Sequence, residues 1–111
     1  EIPWEDLGRM PGMLYFFAIE NFPPELASSV VKRKVEKDSG GIVCFLSQEE
    51  SGEGMFLLAA GKDVGVDLRA FLGARKELQA RGGGASNWVQ GKTGNGSSSE
   101  WKRALLSIVD K

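Results

Sequence analysis

The stretch MLYFFAI, residues 13–19, is a continuous apolar run that lies between Gly12 and Asn21. The run is too short for a typical buried helix and is rich in aromatic residues, so it predicts a central β-strand. Pro23 and Pro24 follow closely and predict the start of a helix, because proline suits the first helical turn. Since a helix then leads from this strand to the next, the two strands are expected to pair in parallel through a right-handed crossover.

The residues after Pro24 predict an amphipathic helix that ends at the pair Gly40-Gly41. Four apolar residues at helical spacing form its expected buried stripe: Ala27, Val30, Val31 and Val35. Beyond the glycine pair, Ile42–Leu46 and Met55–Ala60 predict two strands, which a polar loop joins as a hairpin. The first half of the chain is therefore expected to fold as a strand, a helix and a β-hairpin.

The second half predicts two more helices, one on each side of a glycine-rich segment. Val66–Ala80 has apolar residues at helical spacing and an early acidic residue that favours the helix dipole. Ser97-Ser98-Ser99 supplies N-caps for a final helix. The expected buried stripe of that helix is Trp101, Ala104, Leu105, Ile108 and Val109. This order of elements predicts an α/β fold, a small mixed β-sheet packed with about three helices, in a single domain over residues 1–111.

Residues 81–96, RGGGASNWVQGKTGNG, interrupt the regular pattern with six glycines. They predict a loop with room for a short strand at Asn87–Gln90. Glycine lets a backbone approach another molecule closely, and exposed N–H groups in such a loop can cradle phosphate oxygens. The segment is therefore either an anion or nucleic-acid site or a mobile surface linker, and composition alone does not separate the two.

Charge is distributed unevenly along a chain whose formal net charge is only −1. Residues 1–80 carry 9 basic and 13 acidic side chains, whereas residues 81–111 carry 5 basic and 2 acidic ones. The positive charge is thus concentrated around the glycine-rich segment, which favours an anionic partner there. A second basic run, Lys32-Arg33-Lys34, lies on the first predicted helix and is either a solvated face or a phosphate patch.

The residue inventory excludes several kinds of site. There is no histidine and one cysteine, Cys44, which excludes His-dependent nucleophile pairs, His-ligated metal sites and a disulfide within the chain. Cys44 is expected to be buried in the middle of a strand, where a thiol is inert. Gly91-Lys92-Thr93 fails as a P-loop because Ser86 stands where that motif needs glycine. The acidic cluster within residues 49–53 is expected to be a solvated hairpin tip. No apolar run approaches the roughly 20 residues of a membrane span, so no membrane contact is expected and the default location is cytoplasmic.

The glycine-rich segment also carries a resemblance to a known family. Gly82-Gly83-Gly84, followed by Trp88-Val89-Gln90-Gly91-Lys92, resembles the DHHA1 domain of alanyl-tRNA synthetases and of free-standing alanyl-tRNA editing proteins. The amphipathic final helix and the order strand, helix, strand, strand, helix extend the resemblance over nearly the whole chain. The resemblance implies a DHHA1-like fold and the C-terminal part of a longer protein.

The function that this resemblance implies is a non-catalytic domain that helps an alanyl-tRNA editing protein or synthetase to hold tRNA, tRNA-Ala in particular. The family's editing chemistry uses zinc held by His and Cys, which this chain lacks as a set. No cofactor is therefore expected here, and zinc is expected only in an absent editing domain. The parent protein would be an aminoacyl-tRNA hydrolase or ligase that supports translation fidelity.

Two alternatives remain open at this point. The first is a module that mediates homodimerisation of the same parent protein. The second is the substrate-binding half of a DHH-family phosphoesterase, although such proteins carry a histidine in the loop where this chain has Ala85.

The predicted RNA-binding residues lie in the glycine-rich segment and on the final helix. Their cations and the exposed backbone N–H groups of the glycines would contact phosphates. Trp88 is either a packing anchor beneath the loop or a platform on which a base stacks. The full predicted set is Arg81, Gly82, Gly83, Gly84, Asn87, Trp88, Gln90, Gly91, Lys92, Lys102 and Arg103. No catalytic residue and no metal ligand is predicted.

Overall fold

A mixed β-sheet with helices on both of its faces forms the centre of the molecule. The structure, a computed structural model, describes residues 2–8 and 13–109, with only the backbone for Val109. Its strands are β1 (Glu5–Asp6), β2 (Leu14–Glu20), β3 (Ile42–Gln48), β4 (Gly54–Ala60), β5 (Ala80–Ala85) and β6 (Trp88–Thr93). Its helices are α1 (Pro24–Lys37), α2 (Leu68–Ala74) and α3 (Ser98–Val109), with a short 3-10 helix at Lys76–Leu78.

The sheet order within the described residues is β1-β2-β3-β4-β6-β5. β2 and β3 pair in parallel across the helix that joins them, as the sequence predicts, and the other neighbouring pairs are antiparallel. The predicted hairpin is also confirmed, because β3 and β4 pair along their whole length from Ile42↔Ala60 to Gln48↔Gly54. The predicted α/β class, a mixed sheet with three helices, is therefore confirmed.

Helix α1 covers the middle of one face of the sheet, where it packs against β3 and β4. Pro23 and Pro24 begin it as expected, and its last turn carries Lys34 and Lys37, which favour the helix dipole. The stripe predicted for this helix does face the sheet, with Ala27 and Val31 buried and the other two valines half-buried. The core on this face consists of Ala27, Val31, Val43, Phe45, Leu57 and Ala59.

The larger core lies on the opposite face, beneath α2, the 3-10 helix and α3. Trp101 of α3 is fully buried, as its spacing predicts, and its ring lies 5.3 Å from that of Phe56. The side chain of Val109, predicted to continue the stripe of α3, lies outside the described residues. The buried members of this core are Leu14, Phe16, Ile42, Cys44, Leu46, Phe56, Leu58, Ala60, Leu68, Leu78, Val89, Trp101, Ala104 and Leu105.

The helix predicted over Val66–Ala80 is shorter than its apolar spacing indicates. It ends at Ala74, and the chain continues as a 3-10 turn followed by Gln79 in the left-handed region at φ 49°. This turn buries Leu78 completely and points the chain into β5. Burial of Leu78 and the change of chain direction into β5 therefore outweigh the helical spacing of the apolar residues.

The prediction of a glycine-rich loop is wrong, because the segment forms the antiparallel hairpin β5–β6 with a turn at Ser86-Asn87. The short strand predicted at Asn87–Gln90 overlaps the start of β6. Glycine weakens a strand interior, which is why composition indicates a loop. Here β6 pairs along the edge of β4, from Gly54↔Thr93 to Ala59↔Trp88, and it buries Val89 and Thr93 in alternation. Tertiary pairing therefore decides the structure of this segment against its local propensity.

Candidate nucleic-acid interface

The open face of the β5–β6 hairpin gathers five of the eleven predicted RNA-binding residues. Opposite residues of an antiparallel pair share a face, and alternate residues along each strand do too. The register Arg81↔Lys92, Gly83↔Gln90 and Ala85↔Trp88 therefore sets these side chains on the face that also carries α1. We call this surface the hairpin face; it consists of Arg81, Gly83, Ala85, Trp88, Gln90 and Lys92.

Two cations stand at one end of the hairpin face. Arg81 and Lys92 are directly opposite in the register and both are exposed. Neither has an ion-pair partner among the described residues. On the side of Lys92 away from Arg81, its directly opposite neighbour is Met55 of β4. Across the three strands, an apolar side chain is therefore followed by two unpaired positive charges.

Gln90 lies in the middle of the same face, and Trp88 lies at its far end. Trp88 is half-buried and packs against the core under α1, as its interpretation as a packing anchor predicts. Its Nε1 donates a 3.3 Å hydrogen bond to Oε1 of Gln90. The bond leaves the amide nitrogen of Gln90 free to donate outward, and Gln90 itself is exposed.

The other three glycines of the predicted site have a structural role that the sequence did not reveal. A Cβ on Gly82 would collide with the backbone of Gln90, one on Gly91 with that of Arg81, and one on Gly84 with that of Trp88. Gly84 also has φ 146°, a conformation that side chains rarely adopt. These glycines permit close strand pairing, whereas a Cβ on Gly83 would meet nothing within 4 Å.

Three of the predicted residues do not join the hairpin face. Asn87 lies in the turn, where its carbonyl oxygen accepts a 2.9 Å hydrogen bond from the backbone N–H of Ala60. Lys102 and Arg103 lie on α3, against the opposite face of the sheet. Lys102 forms a 2.8 Å ion pair with Glu5 and lies over the ring of Phe16. The structure therefore divides the predicted set between two sides of the sheet.

A network of hydrogen bonds around Thr93 and Asn95 anchors the hairpin, and sequence reasoning missed it. The Thr93 hydroxyl is buried and donates to the carbonyl oxygen of Leu78, and it accepts from the N–H of Asn95 at 3.0 Å. The side-chain nitrogen of Asn95 donates to the carbonyl oxygen of Glu77 at 2.9 Å. Trp101 Nε1 donates to the Asn95 carbonyl oxygen at 2.7 Å. The sequence signal that could have indicated this network is a threonine and an asparagine that stand among glycines.

A cleft lies beside the hairpin face, between the first turns of α1 and strands β4 and β6. Its volume is about 180 Å³. Most of its wall is apolar, and its polar side chains include Ser28, Ser47 and Gln90. We call it the α1 cleft; its lining includes Phe22, Pro24, Phe45, Met55, Leu57 and Gln90. Sequence reasoning did not predict this cleft, because its two walls are far apart along the chain.

Other chemistry-bearing groups are accounted for by packing. Burial raises the pKa of the Cys44 thiol, which lies mid-strand in β3 as the sequence predicts and has no exposed surface. Lys34, from the basic run of α1, lies over the ring of Tyr15 and pairs with Asp38 at 2.8 Å. Among the residues that the structure describes, no group of three or more cysteine or acidic side chains is placed to hold a metal ion. No helix there is long and apolar enough to cross a membrane.

The fold has a counterpart among solved structures. The chain is similar to the C-Ala domain from Aquifex aeolicus alanyl-tRNA synthetase, with a TM-score of 0.79 and 18% sequence identity. The similarity covers 99% of this chain and 100% of that one. No protein-family model and no curated protein matches the sequence. At this level of identity the likeness shows the fold alone: a mixed α/β domain of the C-Ala type.

This likeness corrects the resemblance inferred from the sequence. The DHHA1 assignment is wrong, because the full-length structural match is to a C-Ala domain. The glycine-rich segment that carried the assignment is a paired hairpin, in which Gly82, Gly84 and Gly91 allow two strands to approach each other. The alternative of a DHH-family phosphoesterase loses its basis, since it depended on the same resemblance.

Proposed function

We propose that this domain binds tRNA through the hairpin face. The observation that carries the proposal is the pair Arg81 and Lys92, which are directly opposite, exposed and unpaired among the described residues. Opposed like charges in a sheet are destabilising, on the order of 0.2–1 kcal/mol. A phosphate group bound between these two cations would replace their repulsion with two attractions.

The remainder of the hairpin face suits a sugar–phosphate strand. Gly83 has open space above it and Ala85 is small, so the β5 half of this face carries no long side chain beyond Arg81. The Gln90 amide offers a donor, and the half-buried Trp88 indole offers an apolar surface at the far end. Proteins hold single-stranded RNA with this combination of cations, amide donors and aromatic surface.

The likeness to a synthetase domain supports tRNA as the particular RNA. The solved structure is a domain of an alanyl-tRNA synthetase, and this chain spans all of it. We therefore propose that the chain is an RNA-binding domain of an alanyl-tRNA synthetase, that it binds tRNA-Ala in the cytoplasm, and that it takes no part in catalysis. No observation on the structure carries the editing role that the sequence resemblance implied, and the proposal does not include it.

The test is a salt titration of tRNA-Ala binding. Arg81→Gln together with Lys92→Gln removes both cations of the hairpin face, and Lys102→Gln with Arg103→Gln removes two cations from the other side of the sheet. Each phosphate neutralised contributes about 0.7–0.9 to the slope of log affinity against log salt, so the first pair should make the slope shallower by about 1.4–1.8. The control pair should leave the slope unchanged.

Two results would count against this proposal. Equal slopes for the wild type and the Arg81/Lys92 variant would remove the hairpin face from the interface. A loss of slope in the α3 variant alone would move the interface to the opposite side of the sheet. Circular dichroism of each variant verifies that the charge changes leave the fold intact.

Self-association is a second candidate, favoured by the position of β5. This strand is at the edge of the sheet, and its outer side has no strand beside it among the described residues. Five of its six residues are exposed, so its free backbone N–H and C=O groups can pair with a second copy. Sedimentation velocity over a range of concentrations tests this candidate, and a concentration-independent coefficient would reject it.

A further inference from the structure

We infer that the α1 cleft takes one unstacked nucleobase of the RNA strand whose phosphates lie on the hairpin face. The inference rests on the proposed function and adds a recognition element to it: the domain would prefer a strand with an accessible, unpaired base over a closed duplex. It arises from the walls of the cleft, from two polar groups within it and from its position beside the two cations.

The walls of the α1 cleft suit a flat, apolar ring system. Phe22 and Phe45 line it with ring centroids 4.9 Å apart, and Met55 of the neighbouring strand β4 adds a thioether. Its volume of about 180 Å³ is below the roughly 300–1,000 Å³ of pockets for drug-sized ligands. A single heterocycle is therefore a better match than an extended ligand.

Two polar side chains in the cleft have unused hydrogen-bonding capacity. The amide nitrogen of Gln90 is free, because only the Gln90 oxygen accepts from Trp88. The Ser28 hydroxyl, on the α1 side, has no hydrogen-bond partner among the described residues. By contrast, the Ser47 hydroxyl is engaged with the backbone of Phe22. A purely apolar occupant would displace water from these two groups without replacing its hydrogen bonds, whereas a base has donors and acceptors on its edge.

The cleft opens beside the cations of the hairpin face. Met55, on its wall, is directly opposite Lys92, and Lys92 is directly opposite Arg81. Neighbouring strands are about 4.8 Å apart, so the two cations are about one and two strand spacings from the cleft wall. A nucleotide can place its anionic phosphate at the two cations and its flat base in the cleft. A free anion would match only the cations, and an apolar side chain would match only the cleft.

The experiment compares two single strands that carry equal numbers of phosphates. One is a short abasic ribose–phosphate strand, and the other is the same strand with 2-aminopurine at its centre. The wild-type domain should bind the strand with one base about tenfold more tightly, since a stacked base contributes on that scale. The fluorescence of 2-aminopurine should change on binding as the base enters the cleft.

Variants locate the base. Ser28→Leu places a larger apolar side chain in the cleft and should abolish the tenfold preference while binding to the abasic strand persists. Ser29→Leu is the matched control, because Ser29 is the adjacent, exposed residue of α1 and does not line the cleft. Gln90→Ala should reduce the preference without changing the core, and it provides a second measurement if Ser28→Leu does not fold.

The possible outcomes separate the two proposals. Equal binding of both strands by the wild type would overturn the base site and leave the hairpin face intact. A preference that persists in Ser28→Leu and in Gln90→Ala would place the base elsewhere and overturn the inference. Absence of binding to either strand would overturn the proposed function, and the base site with it.

Discussion

The hairpin β3–β4 buries nearly every residue of both strands, whereas the hairpin β5–β6 leaves most of its residues exposed. Both are antiparallel, and both belong to the same sheet. The first is held by side chains packed on both faces of the sheet. The second is held by backbone pairing that glycines make possible, together with a few buried anchors such as Val89 and Thr93. A strand pair that does not depend on its side chains for stability can present them to a ligand.

The largest effect is expected in the buried hairpin. Leu58 of β4 is fully buried, so Leu58→Ala should lower the free energy of unfolding by about 2–5 kcal/mol, measured by urea denaturation. Leu26→Ala removes the same atoms from an exposed position on α1, where Leu26 is 54% exposed, and should change stability by less than about 0.5 kcal/mol. Similar losses in the two variants would mean that the core is not where the structure places it.

A smaller but clear effect is expected from the glycines of the exposed hairpin. Gly91→Ala forces a methyl group against the backbone of Arg81, and the resulting shift should cost about 1–3 kcal/mol in thermal or chemical denaturation. Gly83→Ala is the matched control in the partner strand, because it has open space and should change stability by less than about 1 kcal/mol. If Gly91→Ala is as stable as Gly83→Ala, close strand approach is not what these glycines provide.

Charge reversal should separate stability from binding at the hairpin face. Lys92→Glu places opposite charges across from each other at Arg81 and should stabilise the domain by about 0.2–1 kcal/mol. The same change should weaken tRNA affinity about tenfold, because a phosphate contact becomes a repulsion. Arg103→Glu makes an equal charge change at an exposed residue of α3 and should leave tRNA affinity nearly unchanged. A Lys92→Glu variant that binds tRNA as well as the wild type would contradict the proposed interface.

The smallest effect is expected at Cys44, in the buried hairpin β3–β4. Because burial raises the pKa of its thiol, the reactive thiolate is scarcer at every pH than for an exposed cysteine. The native domain should therefore not react with a thiol reagent at neutral or mildly basic pH, and denaturant should restore the reaction. Leu58→Ala should accelerate labelling, since it weakens the same hairpin. Rapid labelling of the native wild type would show that β3–β4 opens readily.

Sequence reasoning succeeded where local pattern and burial agree. The aromatic run became β2, the proline pair began α1, and the apolar spacing of α3 buried Trp101. It failed where tertiary pairing opposes local propensity. The glycine-rich segment has the composition of a loop, yet its pairing with β4 makes it two strands. The apolar spacing after Val66 predicted a helix, yet burial of Leu78 required a turn.

The candidate site shows the same division. The cations and the indole of the glycine-rich segment could be proposed as site residues from their type alone, because they stand out in a segment made mostly of glycines and small polar residues. The strand register that sets Arg81 opposite Lys92, and the α1 cleft between residues far apart in the chain, depended on the folded sheet. For the same reason, the sequence prediction grouped Lys102 and Arg103 with the glycine-rich segment, although α3 lies on the other side of the sheet.

The sequence by itself determined the α/β class, the parallel pairing of β2 with β3, the burial of Cys44 and the uneven distribution of charge. Each of these follows from hydrophobic periodicity, connection length or composition, which are local properties. Only the tertiary structure decided that the glycine-rich segment is a hairpin and which of its residues share a face. The physical reason is that strand pairing and side-chain facing depend on register with distant residues, and no short window of sequence contains that register.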